Sequence, residues 1–280
     1  FPAVAHAWCG PVLYDAHDVE SDVKRRILSD SPAQEMLLKV VEQVERACVN
    51  RSEVILCRTI QEKARLAELY GAPLNRIHVV PGGYAPDRVS FVDLRGRSAR
   101  IAAEHVPPIA LFLGEPHILD AKTAAHLVAC AKELPDIQFV VAGAVPKEYS
   151  EGAVPSNVQF VGSINEEDRK RLLEIAMVAI NPLEKDAGTN FKMIECFAAG
   201  LPVISTSSGV QGLGGVDRRH YWRCDIAAFP SAIREMVSSA DSEDSRLLVE
   251  QAHAHAENQF QWSGIAARFL KEANLLSRAE

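Results

Sequence analysis

No stretch of this chain is long and apolar enough to cross a bilayer. Apolar residues make up 48% of its 280 positions, but they are broken into runs far shorter than the roughly 20 residues a spanning helix needs. An excess of positive charge is also missing. Lys and Arg number 30 against 37 Asp and Glu, a net charge of −7, which gives no support to nucleic-acid binding and argues against a strongly basic membrane face. The six cysteines, Cys9, Cys48, Cys57, Cys130, Cys196 and Cys224, form no C-x-x-C pair. Their scatter fits reduced thiols, most of them small buried hydrophobes, and disfavours a disulfide framework or a zinc site; a cytoplasmic location is expected. His253 and His255 are two apart, a poor spacing for joint ligation from one helix. No secretory signal, internal repeat or low-complexity tract is visible. The first residue is Phe1 rather than Met, so a fragment, a processed product or an edited chain is expected.

What is present is an alternation of short apolar runs and helical patterns. Val12–Asp15, Glu53–Cys57 and Arg76–Val80 read as strands. Ser31-Pro32-Ala33-Gln34 and Thr59-Ile60-Gln61-Glu62 read as capped helix starts, the second helix ending at Gly71. Residues 84–107 lose periodicity and are expected to be a linker. Beyond them come strands at Ile109–Leu113, Ile137–Ala142, Val158–Val161 and Met177–Ile180, with helices from Asp120 and after Asn165. The tail from Ser242 to Leu276 is expected to be mostly helical. Short continuous apolar strands separated by helices predict a parallel sheet buried on both faces.

Residues 181–206 carry the most chemistry. A turn, Asp186–Thr189, leads into a helix predicted to start near Asn190 and to stop at Gly200, before a strand at Pro202–Ser205. A helix N-terminus attracts phosphate, Gly188 permits close approach, and Lys192 adds a full charge in the first turn. Glu195 follows on nearly the same face, and its carboxylate can accept two hydrogen bonds from a ribose diol. An ordinary helix start in an α/β sheet is the competing interpretation.

This segment resembles the donor-site motif of the family-4 retaining glycosyltransferases, which have the two-domain GT-B fold. Gly188-Thr189-Asn190-Phe191-Lys192 matches one branch of that motif. Glu195 matches the glutamate that holds the nucleotide ribose, whereas Ala187 stands where many members have another glutamate. Arg76–Gly83, Ala198–Val203, Phe260–Ser263 and Tyr14–Glu20 resemble further family segments. The resemblance implies an α/β, GT-B-like architecture: a doubly wound, Rossmann-like donor domain over residues 107–261, and an incomplete second Rossmann-like domain over 1–106, joined by the C-terminal helix 262–280. Residues 1–83 hold too few strands for a complete mononucleotide-binding half, so most of the acceptor domain is expected to be absent from this chain.

The resemblance also implies the roles. Gly114, Lys122, Gly162, Gly188, Thr189, Asn190, Lys192 and Glu195 would bind the nucleotide-sugar donor, and His17 would approach the donor sugar or its phosphate. Lys122 reads more readily as a solvated helix lysine, whereas Gly162 reads equally as a plain strand-ending glycine and His17 as a solvated loop histidine. Glu115 follows Gly114 where similar enzymes place an arginine, and an acid there would repel a diphosphate. No Asp-x-Asp pair occurs, so no metal and no cofactor is expected. The implied reaction moves a sugar from a nucleoside diphosphate to an acceptor hydroxyl with retention. The expected partners are that donor and an unknown glycan, lipid or small-molecule acceptor, with no nucleic acid; peripheral membrane contact would run through the missing N-terminal portion. Three alternatives stay open: a nucleotide-sugar 2-epimerase, a phosphorylase-like enzyme holding pyridoxal phosphate on a lysine, and a non-catalytic nucleotide-sugar-binding or scaffold protein.

Overall fold

The structure is a computed structural model, and it describes residues 8–28, 32–114, 121–146, 149, 154–184 and 190–273. The chain divides into two compact units, one formed by residues 1–82 with 263–280 and the other by residues 83–262. No helix among the described residues is long and apolar enough to cross a membrane.

The first unit is built from β1 (Leu13–Asp15), α1 (Glu20–Ile27), α2 (Pro32–Arg51), β2 (Val54–Cys57), α3 (Ile60–Tyr70) and β3 (Ile77–Val79). Its strands form a parallel sheet in the order β1-β2-β3. The Thr59 capping box forms as expected: the threonine hydroxyl accepts from the Glu62 N–H and the Glu62 carboxylate accepts from the Thr59 N–H, while Gly71 closes α3 with φ 69. Helix α1 has no such residue, because Val19 offers no acceptor at its N-cap. Buried Glu45 of α2 substitutes from a distance. Its carboxylate accepts from the Glu20 N–H at 2.8 Å, the Ser21 N–H at 3.1 Å and the Tyr70 hydroxyl at 2.5 Å, so the donors at that helix start and the buried charge satisfy each other.

The second unit runs α4 (Leu94–Glu104), β4 (Ile109–Leu113), α5 (Ala121–Glu133), β5 (Gln138–Ala142), β6 (Val158–Gly162), α6 (Glu166–Ile175), β7 (Val178–Asn181), α7 (Lys192–Ala198), β8 (Val203–Ser205), β9 (Trp222–Arg223), α8 (Phe229–Ser238) and α9 (Glu243–Phe260); the last helix, Trp262–Glu272, follows. All six strands are parallel, in the order β6-β5-β4-β7-β8-β9. Numbered within the unit, this is 3-2-1-4-5-6, the doubly wound Rossmann order whose direction reverses between β4 and β7. Alternate residues of β4 enter two separate cores. Leu111 and Leu113 pack with Phe197 of α7 and Ala256 of α9, while Ala110 and Phe112 pack with Leu127 of α5 and Ile233 of α8. Both sheet faces are therefore covered, which explains the unbroken apolar strands in the sequence.

One expectation is corrected and one omission filled. Residues 84–107 are not an aperiodic linker: they contain α4, whose N-cap Asp93 accepts from the Gly96 N–H at 2.7 Å, and residues 83–106 pack with the second unit. The helical period is present, but one buried position on that face is Arg97, between Leu94 and Ile101, and its charge hides the pattern. The sequence analysis also named no element between Ser205 and Ser242, where β9 and α8 lie.

Candidate functional site

The expected ligand position in such a sheet is outside the carboxyl ends of the strands at the switch point, and a small cavity lies there. It is lined by Gly114 after β4, Gly143 after β5, Ser163 and Ile164 after β6, Arg169 of α6 and Lys192 of α7, and encloses about 70 Å³. At Gly114 a side chain is sterically excluded, since a Cβ would stand 2.9 Å from the Ala142 carbonyl oxygen. The Gly114 N–H instead donates to that oxygen at 2.7 Å, and the Gly143 N–H donates to the Gly162 carbonyl at 2.8 Å, extending the ladders to the cavity rim. Gly162 has φ 67, a left-handed conformation that turns the chain out of β6 toward Ser163.

The charged side chains come from two helices. Asn165 caps α6 by accepting from the Asp168 N–H at 2.8 Å, and the next residue, Arg169, reaches the cavity. Helix α7 is only seven residues long. Its first turn is tight: the Met193 N–H donates to Asn190 and the Ile194 N–H to Phe191, both at 3.0 Å. Part of the N–H array expected to receive phosphate is thus engaged within the chain, which shifts weight to Lys192, Arg169 and the glycine backbone. Glu195 lies one turn beyond Lys192, and its Oε2 stands 2.5 Å from Arg169 Nη2. The contact is close but not aligned as a hydrogen bond. Burial pushes the Glu195 carboxyl above the usual carboxylate range, against the pull of Arg169.

Both helices are anchored at their far ends by one side chain. Arg97, 1% exposed, donates to the carbonyls of Leu173, Glu174 and Ala176 around the end of α6 and to that of Ala199 after α7, at 2.6–3.1 Å. Helix C-termini leave such carbonyls without intrahelical donors, so a five-donor guanidinium suits the position. Burial lowers its pKa to about 10, so it stays charged at neutral pH.

Of the residues expected at the site, Gly114 and Lys192 line the cavity, Gly162 borders it, Asn190 opens the turn before Lys192, and Glu195 is reached through Arg169. Lys122 does not line it. Its ammonium stands 3.6 Å from Glu184, and Glu184 also pairs with His126 at 2.8 Å. Gly188, Thr189, Ala187 and Glu115 lie outside the described residues. In the first unit, His17 is largely exposed; its Nδ1 accepts from Arg58 Nη2 at 3.0 Å, and Arg58 also holds Asp15 at 3.0 Å. Gly143 and Arg169 were not anticipated. The available signal was a cation one turn into the helix that follows a sheet strand.

Residues 107–239 match the family described as Glycosyl transferases group 1. The chain is similar to D-inositol 3-phosphate glycosyltransferase of Nocardia farcinica, 30% identical over 127 residues; the match spans 45% of this chain and 27% of that relative's length. Among solved structures it is similar to sucrose-phosphate synthase from Thermosynechococcus elongatus (TM-score 0.73, 21% identity, 99% of this chain and 71% of that one). It is also similar to Anabaena HepE in complex with UDP-glucose (TM-score 0.66, 12% identity, 96% and 72%). At these identities the structural likeness is one of fold. Residues 107–239 thus match a Glycosyl transferases group 1 domain, carried in a chain that resembles the family-4 glycosyltransferases and has a GT-B-like α/β fold.

Proposed function

We propose that this protein transfers a sugar from a nucleoside-diphosphate sugar to an acceptor hydroxyl, with retention of the anomeric configuration. The observation that carries this reading is the switch-point cavity, where two cationic side chains, Arg169 and Lys192, meet close-approach glycine backbone in a domain of a glycosyltransferase family. At about 70 Å³ it is far smaller than a pocket that encloses a whole ligand, so base and sugar would lie outside it. In the reaction the bond between the anomeric carbon and the diphosphate oxygen breaks, the leaving diphosphate takes the electron pair, and the acceptor oxygen bonds to that carbon as its proton passes to the departing diphosphate. Lys192 would stabilise the charge developing on the leaving group, and Glu195 would accept from the ribose diol. Because side chains supply the neutralising charge, turnover is expected to persist in the presence of a chelator.

The experiment is a thermal-shift screen of the whole chain against UDP, GDP, ADP and their sugars, followed by a donor-turnover assay with the best binder. A nucleotide-dependent stabilisation with donor cleavage is the expected result. Binding without turnover would replace the enzyme by a non-catalytic nucleotide-sugar-binding protein, a reading that Ala187, in place of a family glutamate, favours. For His17 the reading expects His17→Ala to lower turnover with donor affinity retained.

A further inference from the structure

Arg169 takes part in two arrangements at once. It lines the cavity, and it also holds Glu195. Neither arrangement is complete: among the described residues, Arg169 Nε and Glu195 Oε2 are buried without a hydrogen-bond partner. A guanidinium offers five donors in a planar fork that suits phosphate oxygens as well as carboxylates. A buried polar group without a partner is unfavourable, so the guanidinium is poised to take a better-matched anion and the carboxylate a better-matched donor.

We infer that Arg169 and Glu195 form an exchangeable latch, in which the diphosphate of the donor takes Arg169 from Glu195 and thereby frees the Glu195 carboxylate for the ribose diol. The inference rests on the glycosyl-transfer reading of the same site. The two halves of the donor are then recognised in a linked way. Phosphate and Glu195 compete for one guanidinium, and a nucleoside without phosphates meets a carboxylate that is already engaged. Arg169 also supplies the second positive charge that the acidic Glu115 does not provide after Gly114.

The competition has a signature that an ordinary binding residue lacks: substitution of Glu195 acts with opposite sign on two ligands. Isothermal titration of the whole chain with inorganic pyrophosphate, then with UDP, GDP and ADP, reads it. Wild type is expected to bind pyrophosphate, and Arg169→Gln to weaken this about tenfold. Glu195→Gln is expected to tighten pyrophosphate about threefold while weakening the preferred nucleoside diphosphate about tenfold. If Arg169→Gln does not fold, Arg169→Lys, a point charge without the fork, is expected to lose about threefold for pyrophosphate. No pyrophosphate binding by wild type overturns the latch. So does a folded Arg169 variant of unchanged affinity, or a Glu195→Gln variant that binds pyrophosphate no more tightly than wild type. A wild type that binds pyrophosphate but none of the three nucleotides overturns the glycosyl-transfer reading, and with it the ribose half of the latch.

Discussion

Single residues of the site differ in how far they could be read in advance. Gly114 and Lys192 could be expected near the cavity they line because their positions follow from local punctuation, namely the end of an apolar strand and the first turn of a helix that ends at a glycine. Arg169 could not, because its place in the cavity depends on where α6 leaves β6, a tertiary fact. Lys122 lies away from the cavity for the converse reason. The cavity turns toward β6, and a nearby carboxylate, Glu184, holds that lysine instead. Removing the Lys192 charge with Lys192→Met is expected to lower donor turnover by about 10²-fold, measured as kcat/KM, with thermal stability retained.

His220 gives a second prediction at this scale. It is buried, its Nδ1 accepts from the Val216 N–H at 2.9 Å, and its ring stacks on His255 at 4.5 Å. Burial first, then His255 and Arg219, push its pKa down to about 4 from an ordinary 6.5. The unfolded chain therefore binds the proton more readily than the folded one. The stability this neutral histidine contributes is complete above about pH 6.5 and is lost as the pH falls toward 4. Between pH 7 and 5 the loss is expected to be about 2 kcal/mol, and Tm is expected to fall less steeply over that range in His220→Gln than in wild type.

Among the elements, most strands and helices could be placed from the sequence, since period and capping residues act locally; the Thr59–Glu62 box and the left-handed Gly71 are the clearest cases. What escaped were elements defined by partners distant in the chain. Strand β9 has two residues and exists because β8 pairs with it. Helix α4 conceals its buried face behind Arg97. That arginine ties together the ends of the two helices that carry Arg169, Lys192 and Glu195. Arg97→Met would leave the carbonyls of Leu173, Glu174 and Ala176 without the Arg97 donor and that of Ala199 with only the Val92 N–H, and a loss of about 3–5 kcal/mol is expected, seen as a Tm drop on the order of 10 °C. Arg97→Lys is expected to recover only a small part, because an ammonium lacks the fork and has fewer donors.

For the whole molecule, the sequence indicated a doubly wound domain, and the structure adds its strand order and groups α4 in the same compact unit. The two units also differ in how they are written along the chain. The second is a single uninterrupted segment, residues 83–262, whereas the first takes residues from both ends. Ending the chain after Trp262 removes His78's contacts with Phe269 and Glu272 and is expected to destabilise the first unit selectively. Calorimetry is expected to show its transition moved downward and that of the second unit nearly unchanged.

This arrangement sets an order of birth on the ribosome. The interior segment is fully synthesised, and free to fold, before the last helix of the outer unit has been translated. Residues 1–82 must wait until residues 263–280 have been made to find their final neighbours, and meanwhile the half-made outer unit is the part of the nascent chain that depends on protection from aggregation.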